Sequence, residues 1–317
     1  MGLLPSGVTA FCPTLVTQPP ESYHCILPKI KRIQGSKLVG ATNLGVHIEG
    51  PFISYEKRGA HPLQYIKGEE IKSFDQIKNM YKYLDDIAII TIAPELDQTG
   101  EITKQLVDYG IVVSVGHSTA TLSQGENAIN NGANFITHLF NAMLPFHHRD
   151  PGLVGLLTSS KINKSTVYYG IIADGLHTHD AALKIAFRSN SEGMVLVTDA
   201  VSAMGLQTGV HHIGVNQVEI KNNVAFIAGT ETLCGSIATL DCCVRNLLRV
   251  TGCSKVQAIE CATLHPAQVL GISNKKGTLN FNSDADFIIL DDDLNVDATF
   301  ISGDCVWKNE KCVINAN

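Results

Sequence analysis

Long apolar runs are missing from this 317-residue sequence. None reaches the roughly 20 residues that a membrane-crossing helix needs. Charge is sparse too: only 17% of residues are charged and the formal net charge is −6. That balance argues against nucleic acid or an acidic membrane as the main partner. The one basic cluster, Lys29, Lys31, Arg32 and Lys37, is expected on the solvated face of a helix and its exit loop. No CxxC pair occurs among the nine cysteines, whose spacing is irregular and whose number is odd. This disfavours a disulfide framework and fits reduced thiols in a cytoplasmic protein. GxGxxG and GxxxxGK are both absent, so a nucleotide cradle is not indicated. The start, MGLLPSGVTAFCPTLV, has no basic stretch ahead of a separate apolar core, so no signal peptide is expected. What remains is a chain with 44% hydrophobic residues, long enough for one large core and a small appendage.

Apolar runs alternate with amphipathic segments nearly throughout. Strands are predicted at 8–15, 44–49, 87–94, 111–115, 135–139, 167–173 and 194–198. Between and after them, helices are predicted at 21–33, 69–84, 101–109, 122–131, 154–162, 180–188, 237–250 and 255–270. Many of the strands are apolar on both faces, which marks a parallel sheet covered by helices. The fold class is therefore α/β, a (β/α) TIM-type barrel. Seven strands are counted rather than eight, so the barrel is expected to lack its first strand and to have two unpaired edges. Residues 201–232 read as an inserted hairpin with an Asn222–Asn223 turn. The boundaries expected are a barrel over 1–271 and, over 272–317, C-terminal β-strands of a small sandwich domain.

Five of the strands run into groups that bind metals or move protons: Glu49 of GVHIEG, His117 of VVSVGHS, His138 of FITHLFNAM, Asp174 and His177 of YYGIIADGLH, and Asp199 of MVLVTDA. In a (β/α) barrel the C-terminal strand ends share one mouth, so these residues are expected to meet. Two histidines and a carboxylate with one open position suit catalytic zinc, which lowers the pKa of its bound water to about 7. The same donor set also suits non-haem iron. Asp199 is placed to accept the water's proton and pass it on. Arg149, in the turn-rich NAMLPFHHRDPG, is a candidate phosphate or carboxylate clamp, and His147 and His148 are expected at the surface or in an interface. His47 is read as packing inside the barrel, and Cys12 as a buried thiol near the mouth.

Taken together, HIEGPFIS, KRGAHP, VGHS, THLFNAM, RDPG, ADGLH, LVTDA and TLCGS resemble the N-acetylglucosamine-6-phosphate deacetylases of the amidohydrolase superfamily. The resemblance runs from GVTAFCPTLVT to DADFIILD and implies metal-dependent hydrolysis of an acetamide, giving glucosamine 6-phosphate and acetate. It implies one divalent ion, with zinc expected, on Glu49, His117 and His138, and Asp199 as the acid/base. Substrate contacts are implied for Ala60, His61, Asn141, Ala142, His177, Leu233, Cys234 and Gly235. Arg149 is implied as a sugar-phosphate clamp that reaches across a homodimer interface. The family's N-terminal sandwich strands and first barrel strand, which carries an HxH-type pair in many amidohydrolases, have no counterpart here. An amidohydrolase acting on a cyclic amide and a silent truncated isoform stand as alternatives.

Overall fold

The computed structural model describes residues 2–163, 167–213, 216–221 and 224–310. Seven parallel strands form one sheet in sequence order. They are β1 (Thr14–Val16), β2 (Val46–Glu49), β3 (Ile87–Ile92), β4 (Val112–Val115), β5 (Phe135–Ile136), β6 (Tyr168–Ile171) and β7 (Met194–Leu196). All six residues of β3 are buried, as a strand between inner side chains and an outer helix layer requires. The sheet is TIM-like: it curls until side chains at the ends of β2, β4 and β5 touch.

Most of the covering helices are shorter than their apolar periodicity suggests. The helix predicted at 21–33 becomes α1 (Pro20–Ile26) and a 3-10 turn around Pro28, because proline has no N–H to continue the ladder. Lys31 and Arg32 therefore lie in the loop, where Lys31 Nζ bonds Asp86 at 2.7 Å and Arg32 donates to the Ile87 carbonyl. Next come α2 (Phe74–Tyr81), α3 (Glu101–Asp108) and α4 (Leu122–Asn130), the last started by a Thr121–Gln124 capping box. The segment predicted as a helix at 154–162 is instead a 3-10 stretch, Gly152–Leu157. After α5 (Asp180–Ser189) and α6 (Leu240–Thr251), the long helix expected at 255–270 splits into α7 (Lys255–Glu260) and α8 (Leu264–Val269), with Pro266 in the second.

The predicted strand at 8–15 is also two pieces. Ala10–Phe11 pairs with Thr42–Asn43, and only Thr14–Val16 joins the main sheet. Cys12 consequently precedes β1, at the end of the sheet opposite the mouth. Among the described residues β1 has a strand partner on one side only. The outer edge of β7 is not bare: Leu196 N–H donates to the Cys261 carbonyl at 2.8 Å, and His265 Nδ1 lies 2.7 Å from the Met194 carbonyl.

Two smaller sheets flank this unit. The insertion is not a simple hairpin but three antiparallel strands, β8 (Gly209–Ile213), β9 (Asn216–Lys221) and β10 (Val224–Ile227). The Asn222–Asn223 turn lies outside the described residues. Val218, Ile220 and Ala225 bury against Ala203 and Cys234, with Ala60 alongside, so this sheet leans on the loops of the mouth. The C-terminal strands β11 (Phe287–Leu290), β12 (Val296–Ile301) and β13 (Asp304–Lys308) pair antiparallel. They pack on the N-terminal turn, where Thr299 Oγ1 donates to the Leu4 carbonyl at 2.8 Å. The tail expected to continue this element beyond 310 is outside the described residues.

Candidate metal and substrate site

Glu49 closes β2, and His117 and His138 each sit two residues past β4 and β5. All three are buried. Glu49 Oε1 lies 3.2 Å from His117 Nε2 and 3.1 Å from His138 Nε2, and the two histidine nitrogens are 3.0 Å apart. Ligand atoms about 2.0–2.2 Å from a tetrahedral centre stand roughly 3.3–3.6 Å from one another, so this triangle is close to the size a small cation needs. His117 Nδ1 lies 2.8 Å from the Lys57 carbonyl and donates to it. Its Nε2 therefore presents a lone pair, as a metal-binding histidine must. The donor set fits a divalent ion.

The electrostatics agree with a site short of positive charge. Burial alone would raise the Glu49 pKa, but the His117 and His138 imidazoles in contact with it outweigh that and hold the carboxyl well below its usual range. Burial pulls His138 down, yet its bond to Glu49 wins and lifts it to about 9. Asp199, three residues past β7, is exposed as a residue, yet desolvation of its carboxyl at the mouth and then the Glu49 charge push its pKa up to about 6, while His138, His117 and His177 work the other way.

Backbone strain marks the same places. His117, His138 and Asp199 have φ of +48°, +28° and +48°, a region that residues with a Cβ enter at a cost of order 1–3 kcal/mol. Surrounding bonds hold those turns. Ser118 Oγ and Thr119 N–H donate to the Glu95 carboxylate at 2.6 and 2.7 Å, pinning the turn after His117. Ser118 N–H donates to the Ala142 carbonyl, and Asn141 N–H to the His138 carbonyl, each at 3.0 Å. Asn141 and Ala142 thereby tie the two histidine loops together. Beside Asp199, Ser236 N–H bonds its carbonyl at 2.9 Å, and Gly235 at φ +61° leaves no room for a Cβ against Val201 and that carbonyl. Gly235 accordingly lies against the Asp199 turn, while Cys234 N–H bonds the Ala225 carbonyl and Leu233 bridges to Phe226. His177 is held by Asp174, whose Oδ2 accepts from Nδ1 at 2.6 Å.

Other residues are placed less as the sequence suggests. His61 is buried, and an atom each of Glu49, His61 and His117 falls within 4.8 Å of the others, so geometry alone admits His61 as a ligand. Burial and the neighbouring His117 hold its pKa down to about 3. Ala60 beside it is half-buried. Arg149 is exposed and makes no ion pair among the described residues; the His147 and His148 rings meet at a tilt on the surface with centroids 4.4 Å apart. His47 does face inward, bonding Thr91 and Thr14. Glu95 carried no signal in the strand-end pattern, since it follows β3 as one polar residue of APEL.

Comparison with known proteins gives the chain's relatives. The model of the Amidohydrolase family matches residues 1–306. The chain is 56% identical over 310 residues to the N-acetylglucosamine-6-phosphate deacetylase of Mus musculus, covering 98% of this chain and 76% of the mouse protein. The crystal structure of N-acetylglucosamine-6-phosphate deacetylase from Thermotoga maritima superposes with TM-score 0.84 at 32% identity, covering 96% of this chain and 80% of that one. The D267A mutant of the Mycobacterium smegmatis deacetylase, in complex with N-acetyl-D-glucosamine-6-phosphate, superposes with TM-score 0.81 at 31% identity, covering 94% and 76%.

Proposed function

This chain belongs to the amidohydrolase family and, within it, to the N-acetylglucosamine-6-phosphate deacetylases, and we propose that Glu49, His117 and His138 hold the metal of that activity. The observation that carries this reading is the triangle of one carboxylate oxygen and two imidazole nitrogens, 3.0–3.2 Å on each side, with the Asp199 carboxyl close enough to feel their charge. The reaction is hydrolysis of the acetamide of N-acetylglucosamine 6-phosphate to glucosamine 6-phosphate and acetate, in amino-sugar catabolism.

A bound divalent ion, for which we propose zinc, supplies a polarised water at neutral pH and a Lewis acid for the amide carbonyl. Asp199 takes the water's proton as the carbon–oxygen bond forms, and returns it to the nitrogen as the carbon–nitrogen bond breaks. Its lifted pKa suits both halves of that shuttle. His61, His177, the Ala60 and Asn141–Ala142 turns and the Leu233–Gly235 turn line the sugar. Asp174 fixes His177 through Nδ1, leaving Nε2 to accept from a sugar hydroxyl. We assign Arg149 to the phosphate. Its exposure in the single chain fits a clamp completed by a second protomer, so the working form is proposed to be a homodimer, in the cytoplasm.

The decisive measurement is acetate release from N-acetylglucosamine 6-phosphate together with metal analysis of the same sample. Turnover with about one ion per chain is expected; a folded, metal-loaded chain that releases no acetate would overturn the reading. Arg149→Ala is expected to raise KM for the phosphorylated sugar, with a loss on the order of 2–5 kcal/mol if the pair is buried and forked, and to leave the unphosphorylated sugar nearly untouched. Equal loss on both substrates would make Arg149 structural.

A further inference from the structure

His61 stands where it could be either a metal ligand or a hydrogen-bond donor, and its second nitrogen decides between them. Its Nε2 faces Glu49, 3.8 Å from Oε2. Its Nδ1 receives the backbone N–H of Thr17 at 3.3 Å and lies 2.8 Å from the Thr17 hydroxyl. A backbone N–H only donates. Nδ1 must therefore be the unprotonated nitrogen, the hydroxyl donates to it as well, and Nε2 keeps the proton. A protonated Nε2 has no lone pair for a metal. His117 is the opposite case: its Nδ1 gives its proton to the Lys57 carbonyl, which frees Nε2 to ligate. His177 resembles His117, with the Asp174 carboxylate on its Nδ1.

We infer that Thr17 is a positioning residue that fixes His61 as an N–H donor toward an acceptor oxygen of the substrate and so keeps it out of the metal's ligand set. The inference rests on the metal reading given above. Thr17 is the first residue past β1, fully buried, and 44 positions from His61 in sequence. Room for its hydroxyl is built in: Gly50, at φ +80°, lies against it, and a Cβ there would collide with Thr17 Oγ1. The neutral donor needs no reorganisation when a polarised oxygen arrives, which is how a preformed donor assists charge development. Had His61 been a fourth protein ligand, a tetrahedral ion would have no position left for water.

Imidazole nitrogen NMR of the metal-loaded protein, labelled with 15N-histidine, tests the tautomer whether or not the chain turns over substrate. The His61 signals are identified by their loss in His61→Asn. Expected are an unprotonated, pyridine-type Nδ1 and a protonated, pyrrole-type Nε2, with His117 showing the reverse pattern and a metal-shifted Nε2. A protonated His61 Nδ1, or a metal-shifted Nε2, overturns the inference. The second arm is a pair of substitutions. Thr17→Val keeps the side chain's shape and the backbone N–H but removes the hydroxyl; Thr17→Ser restores it. Thr17→Val should lower kcat/KM about three- to tenfold, the worth of one hydrogen bond, with metal content unchanged, and Thr17→Ser should recover it. Loss of metal in Thr17→Val, or failure of serine to rescue, would make Thr17 a packing residue only. If wild type releases no acetate while the NMR pattern holds, the assigned reaction fails and the tautomer assignment stands.

Discussion

His138→Ala is expected to leave the chain folded but without its metal and without turnover. The substitution removes one corner of a triangle whose other corners, Glu49 Oε1 and His117 Nε2, lie 3.1 and 3.0 Å away. Two remaining protein ligands hold an ion far less well than three. The loss of affinity should exceed the roughly 10–100-fold seen when only an outer partner of a ligand is removed. Elemental analysis after gel filtration reads the metal, and acetate release reads the activity. Full metal content in His138→Ala would refute this ligand set and turn attention to His61. Titrating metal into the metal-free wild type at several pH values checks the same assignment from another side. Glu49 keeps His138 protonated up to about 9 in the absence of metal, so uptake must expel that proton. Apparent affinity should therefore rise about tenfold per pH unit on approaching that value. A flat affinity over that range would argue that His138 does not ligate.

The chemistry-bearing strand ends could be read from sequence because each is a local signal: an apolar run that stops at Glu, His or Asp instead of a turn residue. Parallel strands of a curled sheet then bring those ends to one mouth whatever their separation along the chain. Helix lengths were less legible. Pro28 and Pro266 cut or split segments whose apolar period runs straight past them, since periodicity reports which face is buried and not where the backbone ladder stops. The break in the first strand at Pro13, between Phe11 and Thr14, is of the same kind.

Other features arise only from tertiary contact. Nothing near GAHP says that His61 is buried against Glu49, or that Thr17 holds its far nitrogen. Glu95 is one acid among many until Ser118 and Thr119 are seen to donate to it. The left-handed φ at His117, His138 and Asp199 has no sequence mark, because glycine, the residue that would announce it, cannot supply the chemistry. Strain of this kind, held by bonds such as Ser236 to the Asp199 carbonyl, is what a rule-based reading of strand ends omits.

Asp199→Asn separates holding the metal from moving the proton. The amide matches the carboxyl in shape, and the backbone bonds that set its turn, from Ser236 N–H to the Asp199 carbonyl and from Val201 N–H to the Ser236 carbonyl, do not involve the side chain. Glu49, His117 and His138 are untouched, so metal content should stay near that of wild type. The amide has no site that takes up a proton at neutral pH, and kcat should fall at least about 10²-fold, the low end for general acid–base catalysis. KM should move much less, because the sugar contacts lie elsewhere. The lifted pKa also makes a prediction about side effects. Asp199 is held at about 6 by desolvation of its carboxyl and by Glu49, although the residue as a whole is exposed, so replacing this charge by a neutral amide should not destabilise the metal-free fold above pH 6. The sign follows from linkage: a carboxyl whose folded pKa lies above its unfolded value weakens the fold as pH rises between the two, and the variant escapes that loss. An Asn variant with near wild-type kcat would move the proton shuttle to His177 or His61. Lost metal together with lost activity would show instead that Asp199 helps hold the ion.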